Sequence, residues 1–285
     1  MTPAPPCPTL PACIGVFDSG LGGLSVLRAI RRDLPAARLL YVADSGHAPY
    51  GERDMPFVQE RSLVIADFLR SQGARLLVVA CNTATAAAVQ LLRSRHPDWP
   101  IVGVEPGIKP AAALTRNGRI GVLATEGTLR SERFRMLAQA HAAHVELHLQ
   151  PCPGLAAAIE AGDLDAPALL DIVRRCCEPL RVAGVDTVVL GCTHYPFIAH
   201  HIQAVLGPAV RLIDTADAVA RRTADLTDGP PPLPAGSASA GREVRLWTTG
   251  DRQLLADVTR RWLDFPCRIE AWPAEHPGAR ADHVG

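Results

Sequence analysis

Two stretches of this chain echo each other at nearly one distance. Ile14-Gly-Val-Phe-Asp-Ser-Gly resembles Ile120-Gly-Val-Leu-Ala-Thr-Glu-Gly at an offset of 106 positions, and Leu77-Val-Val-Ala-Cys-Asn-Thr resembles Val188-Val-Leu-Gly-Cys-Thr-His at 111. Two copies of one unit with a small insertion give such offsets. The runs around the echoes say what the unit is. Apolar runs of strand length at Cys13–Phe17, Leu39–Val42, Leu76–Ala80 and Ile101–Val104 alternate with helical patterns near Leu24–Arg32, Met55–Gln72 and Ala84–Arg95. Strands apolar on both faces and separated by helices read as buried parallel strands with right-handed crossovers. After Pro110 the alternation resumes, with strands at Ile120–Leu123, Val145–Leu149, Thr187–Leu190 and Val210–Leu212 and helices near Ser131–His141, Pro167–Val182 and Phe197–Val205.

The alternation gives the fold class, α/β, and if the two repeats pack face to face around a twofold axis the expectation is two facing, doubly wound domains related by pseudo-twofold symmetry, with the site in the cleft between them. The 285 residues suit two domains better than one, since single cores rarely grow beyond ~250–300 residues. Val244–Thr248 reads as a strand and Asp251–Leu263 as a helix, too little for a third domain. The tail is expected to return to the first half, giving domains of 1–105 plus 216–285 and of 106–215. Asp225 to Gly241, rich in Pro, Gly, Ser and Ala, reads as a surface loop or linker, and Pro277–Gly285 is expected to fray.

Charge excludes some partners. Lys plus Arg and Asp plus Glu are 29 each, so no surplus positive charge pulls on a phosphate backbone or an anionic membrane. Neither an export signal nor a membrane span of ~18 apolar residues is read from the sequence. Lys109 is the only lysine among the 29 basic residues, and it sits between Gly107 and Pro110 in a turn-rich stretch. A pyridoxal-phosphate Schiff base therefore has a poor candidate. The eight cysteines form no Cys-x-x-Cys pair, and in so long a chain they suit a reducing cytoplasm better than a disulfide framework. His141, His144 and His148 are spaced as on a helix, but Val145–Leu149 reads as a strand, and no metal is expected.

Cys81 and Cys192 each end an apolar strand and each precede polar residues, Asn82-Thr83 and Thr193-His194. Ligands in open parallel sheets bind outside the carboxyl ends of the strands, so both thiols belong on the functional rim. A helix N-terminus after Cys81 should draw its thiol pKa from ~8.5 towards neutrality. Taken singly, each cysteine reads as an inert buried thiol; at equivalent positions of two facing repeats, the pair places one base on either side of a small trapped molecule. Asp18-Ser19-Gly20-Leu21-Gly22-Gly23 lacks both the dinucleotide fingerprint and a P-loop lysine, and its N–H groups suit a carboxylate as well as a phosphate. Asp18 could orient a thiol or ammonium group, or cap the helix. His194 lies close enough to Cys192 for a thiol–imidazole pair.

With these residues in view, the chain resembles the glutamate racemases. The resemblance is carried by Phe17-Asp-Ser-Gly-Leu-Gly-Gly-Leu-Ser-Val, Pro49-Tyr-Gly, Ala80-Cys-Asn-Thr-Ala, Gly103-Val-Glu-Pro-Gly and Leu190-Gly-Cys-Thr-His-Tyr-Pro, with weaker support from Thr125-Glu-Gly-Thr-Leu-Arg-Ser and Trp247-Thr-Thr-Gly-Asp. It implies a cofactor-independent, two-base interconversion of L- and D-glutamate, in which Cys81 deprotonates the D-isomer and Cys192 the L-isomer. Asp18 matches the carboxylate that assists the first thiol, and His194 with Glu160 the groups that assist the second. Ser19, Asn82, Thr83 and Thr193 match residues holding the substrate's carboxylate and ammonium, with Pro49, Tyr50, Gly51, Thr125 and Thr128 completing the pocket. The segment before Glu160 reads Cys152-Pro-Gly-Leu-Ala-Ala-Ala-Ile, a departure from the family's usual run. The resemblance further implies a homodimer that supplies D-glutamate for peptidoglycan in a bacterial cytoplasm.

Three other readings stand beside it. An aspartate racemase of the same superfamily would carry Glu where this chain has His194. A Cys192–His194 thiol hydrolase would leave Cys81 without a task. A non-catalytic glutamate-binding or gyrase-inhibiting protein would bind glutamate without exchanging its Cα proton.

Overall fold

The computed structural model describes residues 12–227 and 243–273. Its first sheet is built on β1 (Cys13–Asp18), which lies between β2 (Arg38–Ala43) and β3 (Leu76–Val79), with β4 (Ile101–Gly103) beyond β3. The second is built on β5 (Arg119–Ala124), between β6 (Glu146–Pro151) and β7 (Thr187–Gly191), with β8 (Arg211–Ile213) beyond β7. The first sheet is extended past β2 by β9 (Val244–Thr248) and β10 (Arg268–Ala271), and every pairing is parallel.

The two sheets are copies in register as well as in strand order. Ile14 pairs with Leu76 and Ile120 with Thr187, positions related by the same offsets of 106 and 111 that the sequence echoes show. The second residue of each echo is glycine for one packing reason. A Cβ on Gly15 would lie 3.0 Å from Ala74 Cβ and 3.2 Å from Leu69 Cβ, and one on Gly121 would lie 2.8 Å from Leu180 Cδ1. At both places a crossover helix closes directly onto the central strand.

Eleven α-helices connect the strands among the described residues. In the first half they are α1 (Leu24–Asp33), α2 (Met55–Ser71) and α3 (Asn82–Arg95). Between β4 and β8 run α4 (Ile108–Leu114), α5 (Glu126–Arg130), α6 (Glu132–His141), α7 (Leu155–Glu160), α8 (Pro167–Val182) and α9 (Ala199–Leu206). The last two described helices are α10 (Ala216–Leu226) and α11 (Arg252–Trp262), on either side of β9. Asp54, Thr125, Ser131 and Asp251 cap α2, α5, α6 and α11 through their side chains, which explains where these helices start.

Strand alternation sends Ile14, Val16, Leu39 and Tyr41 to one face of the first sheet, under α1, α10 and α11, and Phe17, Leu40 and Val42 to the other, under α2 and α3. The second sheet is likewise covered on both faces, Leu123, Val188 and Leu190 on one and Ile120, Val122 and Val189 on the other. The chain crosses between the sheets twice, after β4 and after β8.

Most expected elements are present within a residue or two of their boundaries, with α4, α5, α7, α10 and β10 in addition. One reading is corrected at its edge: Asp225 and Leu226 belong to the last turn of α10, whose Val219, Ala220 and Thr223 are buried, rather than to a loop. The remainder of that Pro-rich stretch and Pro277–Gly285 lie outside the described residues. Among the described residues no helix is long and apolar enough to cross a membrane.

Candidate active site

The carboxyl ends of β1, β3, β5 and β7 point into one cleft between the sheets. Contacts across it join residues far apart in the chain. Thr193 Oγ1 donates to Asp18 Oδ2 at 2.9 Å, Leu21 N–H donates to Glu160 Oε1 at 2.5 Å, and Thr83 and Thr125 share a hydroxyl–hydroxyl bond of 3.1 Å. Cys81 and Cys192, at 5% and 7% exposure, are both nearly closed off from water.

On the first side, β3 ends and Cys81 becomes the N-cap of α3. Its Sγ accepts the Ala84 N–H at 3.4 Å and donates to Ser19 Oγ at 3.7 Å, and Ser19 Oγ in turn donates to Asp18 Oδ1 at 3.4 Å. Asp18 therefore reaches this thiol through a hydroxyl. It does not cap α1; its Oδ1 takes the Gly20 N–H at 2.8 Å instead. Burial pushes the Asp18 carboxyl up, against the pull of His194 and of the Gly20 and Thr193 donors. The expectation of a near-neutral Cys81 thiol is corrected. Burial and the charge of Asp18 push it up to about 12, outweighing the helix N–H, and Cys192 lies near enough to push it further.

On the second side, Cys192 leads into a short 3₁₀ turn, Tyr195–Ile198, and His194 folds back so that its Nδ1 lies 3.5 Å from Cys192 Sγ. The other ring nitrogen, Nε2, pairs with Glu160 Oε1. Burial disfavours the charged imidazole, but Cys192 and Glu160 overcome it and hold the His194 pKa well above the usual histidine range. Glu160, at the end of α7, thus meets His194 and Leu21 N–H on one oxygen while Ser45 Oγ donates to the other at 3.3 Å.

The glycine-rich turn meets carboxylates, but they are the protein's own. A Cβ on Gly20 would collide with the Glu160 carboxylate, and one on Gly22 would sit 2.5 Å from His194 Nδ1 and 2.7 Å from Thr193 Oγ1. These glycines let the second sheet's acid–base pair approach the first sheet's loop. Around the rim, Thr125 Oγ1 donates to Thr128 Oγ1 at 3.0 Å, and a Cβ on Gly51 would lie 2.7 Å from Thr125 Cβ, so the Pro49-Tyr50-Gly51 turn abuts the opposite wall. The Ala48–Pro49 peptide is cis. Asn82 Oδ1 is buried without a hydrogen-bond partner, an acceptor aimed at nothing the protein itself supplies.

Asp44, at the end of β2, was not legible as a site residue. It is fully buried and accepts from Arg61 Nε at 2.9 Å and Nη2 at 2.8 Å, from Tyr50 OH at 2.5 Å, and from Thr249 Oγ1 at 2.8 Å, with His47 Nδ1 at 3.1 Å. Burial opposes its ionisation, but the His47 and Arg61 contacts outweigh this and hold its carboxyl well below the usual range. Asp18, Glu160 and His194 also offer atoms within 4.8 Å of one another, a spacing that could hold a cation; Glu160 and His194 are bonded to each other and Asp18 to Thr193. A second such group, Asp165, His200 and His201, lies on the surface.

The family model for Asp/Glu/hydantoin racemases matches residues 14–223, which include both cysteine half-sites. The chain belongs to this racemase family. Among curated relatives, the glutamate racemase of Pseudomonas syringae pv. tomato is 52% identical over 245 residues, 85% of this chain and 88% of that one. That of Pseudomonas aeruginosa strain PAO1 is 50% identical over 84% of this chain and 89% of its own length. Solved structures agree. The racemase superposes on the Escherichia coli glutamate racemase, crystallised with L-glutamate and the activator UDP-MurNAc-Ala, with a TM-score of 0.79 at 35% identity, covering 92% of this chain and 98% of that one. A glutamate racemase isoform from Bacillus anthracis gives 0.80 at 31% identity, covering 93% and 98%.

Proposed function

We propose that this racemase interconverts L- and D-glutamate with two opposed thiols, one removing the Cα proton and the other delivering its own proton to the opposite face, without a cofactor. Relatives near 50% identity over most of the chain support glutamate over the aspartate, hydrolase and binding-only readings. The observation that carries the mechanism is the pairing itself: two cysteines at equivalent strand ends in one buried cleft, each with its own acid–base partner.

In the L-to-D direction, the Cys192 thiolate removes the Cα proton and the Cys81 thiol delivers one to the opposite face; the reverse reaction exchanges the roles. The Cα–H is a very weak acid, and its carbanion requires a site closed to water with donors already in place. His194, held by Glu160, supplies and withdraws the proton of Cys192. Asp18, through Ser19, does so for Cys81. Asn82 offers its unpaired oxygen to the ammonium group. Ser19, Thr83 and Thr193 hold the carboxylate end, with Pro49, Tyr50, Gly51, Thr125 and Thr128 as the walls. The two domains, 1–105 with 216–285 and 106–215, part to admit substrate. The setting is a cytoplasmic homodimer making D-glutamate for peptidoglycan.

Proton NMR of the purified protein with L-glutamate in D₂O, read beside optical rotation, tests this. Loss of both the Cα–H signal and the rotation is expected, with L-aspartate unaffected and Cys81→Ser inactive. Retention of both signals by folded protein, with a cell-wall precursor also supplied, overturns it.

A further inference from the structure

The Trp247-Thr-Thr-Gly-Asp motif takes no part in the chemistry above, yet its turn touches the cleft through a chain of polar contacts. Thr249, just past β9, is held by its N–H to Ala43 O at 3.2 Å. Its hydroxyl does two things at once: it donates to Asp44 Oδ1 at 2.8 Å and accepts the Gly46 N–H at 3.0 Å. The fit around it is close. A Cβ on Gly46 would lie 2.7 Å from the Thr249 carbonyl oxygen, and one on Gly250 would lie 2.9 Å from Ser45 Cβ. Between Asp44 and Gly46 stands Ser45, whose hydroxyl donates to Glu160 Oε2 at 3.3 Å, and Glu160 Oε1 pairs with His194.

We infer that Thr249 is a positioning residue: its hydroxyl fixes the Asp44–Gly46 turn so that Ser45 holds Glu160, and through it His194, in line with Cys192. This rests on the two-thiol reading. Thr249 acts first on the Cys192 side: its contacts run through Ser45 and Glu160 to the His194 side chain, whereas the links toward the first thiol, Leu21 N–H to Glu160 and Asp44 N–H to the Asp18 carbonyl, engage only the backbone of that loop. Only a hydroxyl can donate to a carboxylate and accept from an N–H at one atom. Valine has the shape without the function; serine has the function without the methyl.

The test compares Thr249→Val, Thr249→Ser and Ser45→Ala in both directions with Cα-deuterated L- and D-glutamate. A racemase equilibrium constant is unity, so kcat/KM must fall equally in the two directions, by about tenfold for the loss of one buried hydrogen-bonding group. The directional readout is the primary isotope effect. It should rise from the L side and shrink from the D side in Thr249→Val and in Ser45→Ala, and return to wild-type values in Thr249→Ser. A lowered rate with unchanged isotope effects, or no recovery with serine, overturns the inference. If Thr249→Val does not fold, Ser45→Ala decides by the same asymmetry. Failure of the two-thiol reading looks different, since the unaltered protein would then not racemise glutamate.

Discussion

Cys81 and Cys192 occupy the same place in two copies of one strand–helix unit, and the chain serves them differently. Cys81 caps the 14-residue helix α3 and connects through a hydroxyl to a buried carboxylate. Cys192 enters a four-residue 3₁₀ turn that brings an imidazole, itself paired with a carboxylate, to 3.5 Å. One thiol is pushed up by burial and a neighbouring negative charge, while the other faces a histidine whose protonated form its neighbours favour. Repetition of the fold therefore supplies two equivalent positions on opposite sides of a cleft, and the local residues give each its own polar partners, which the proposed mechanism uses as separate proton sources. An equilibrium constant of unity demands equal kcat/KM in the two directions, not equal helpers. The inequality should surface in which proton transfer limits the rate.

The comparison breaks most completely when either thiol is removed. Cys81→Ser and Cys192→Ser are each expected to lower the racemisation rate by more than ~10³-fold, as measured by circular dichroism with either isomer. His194→Asn is expected next, at about 10²–10³-fold, with a larger primary isotope effect from L-glutamate than from D-glutamate. Equal isotope effects from both isomers in that variant would mean that the imidazole serves both thiols.

Asp18→Asn sharpens the contrast through stability. The folded-state pKa of Asp18 is raised, so the ionised group is a burden to the fold, and its neutral form is favoured as pH falls towards the unfolded-state value. The variant should lose about 10–10²-fold in rate. At neutral pH its thermal unfolding midpoint should equal or exceed that of the parent. Asp44 has the opposite sign. Its folded pKa is depressed, so its stabilisation is present above the ordinary carboxylate range and is lost as pH falls through the depressed value. Asp44→Asn strands Arg61 and should cost about 3–5 kcal/mol in denaturant unfolding.

The smallest effect is on the alkaline side. The raised His194 pKa contributes stability that is complete below the ordinary histidine range and fades as pH rises through the raised value. His194→Asn should flatten that part of the stability profile, read as unfolding midpoint against pH.

The two thiols were legible in the sequence because their strands are buried on both faces and so read as unbroken apolar runs, and because the echoes set one cysteine over the other. Asn82, Thr193 and His194 came with them as close neighbours in the chain, whereas Ser19 came through the glycine-rich turn after β1. What escaped depends on contacts that no local pattern encodes. Asp44 draws its partners from positions 47, 50, 61 and 249, four segments with no shared period. Glu160 bonds the Leu21 N–H from 139 residues away, so Gly20 and Gly22 read as a turn for an external anion when their neighbours are Glu160 and His194. The direction of the Cys81 shift is hidden from the sequence for the same reason: the helix N-terminus is visible there, and the burial that outweighs it is not.

The most direct test of two opposed thiols is an enantiomer-resolved label experiment. L-glutamate is incubated with the protein in D₂O and quenched early, the isomers are separated on a chiral column, and Cα deuterium is read in each by mass spectrometry. Two separate bases predict deuterium in the D-glutamate formed while the remaining L-glutamate is still protiated. Deuterium entering the remaining L-glutamate as fast as D-glutamate forms, or protium carried into the product, would contradict them.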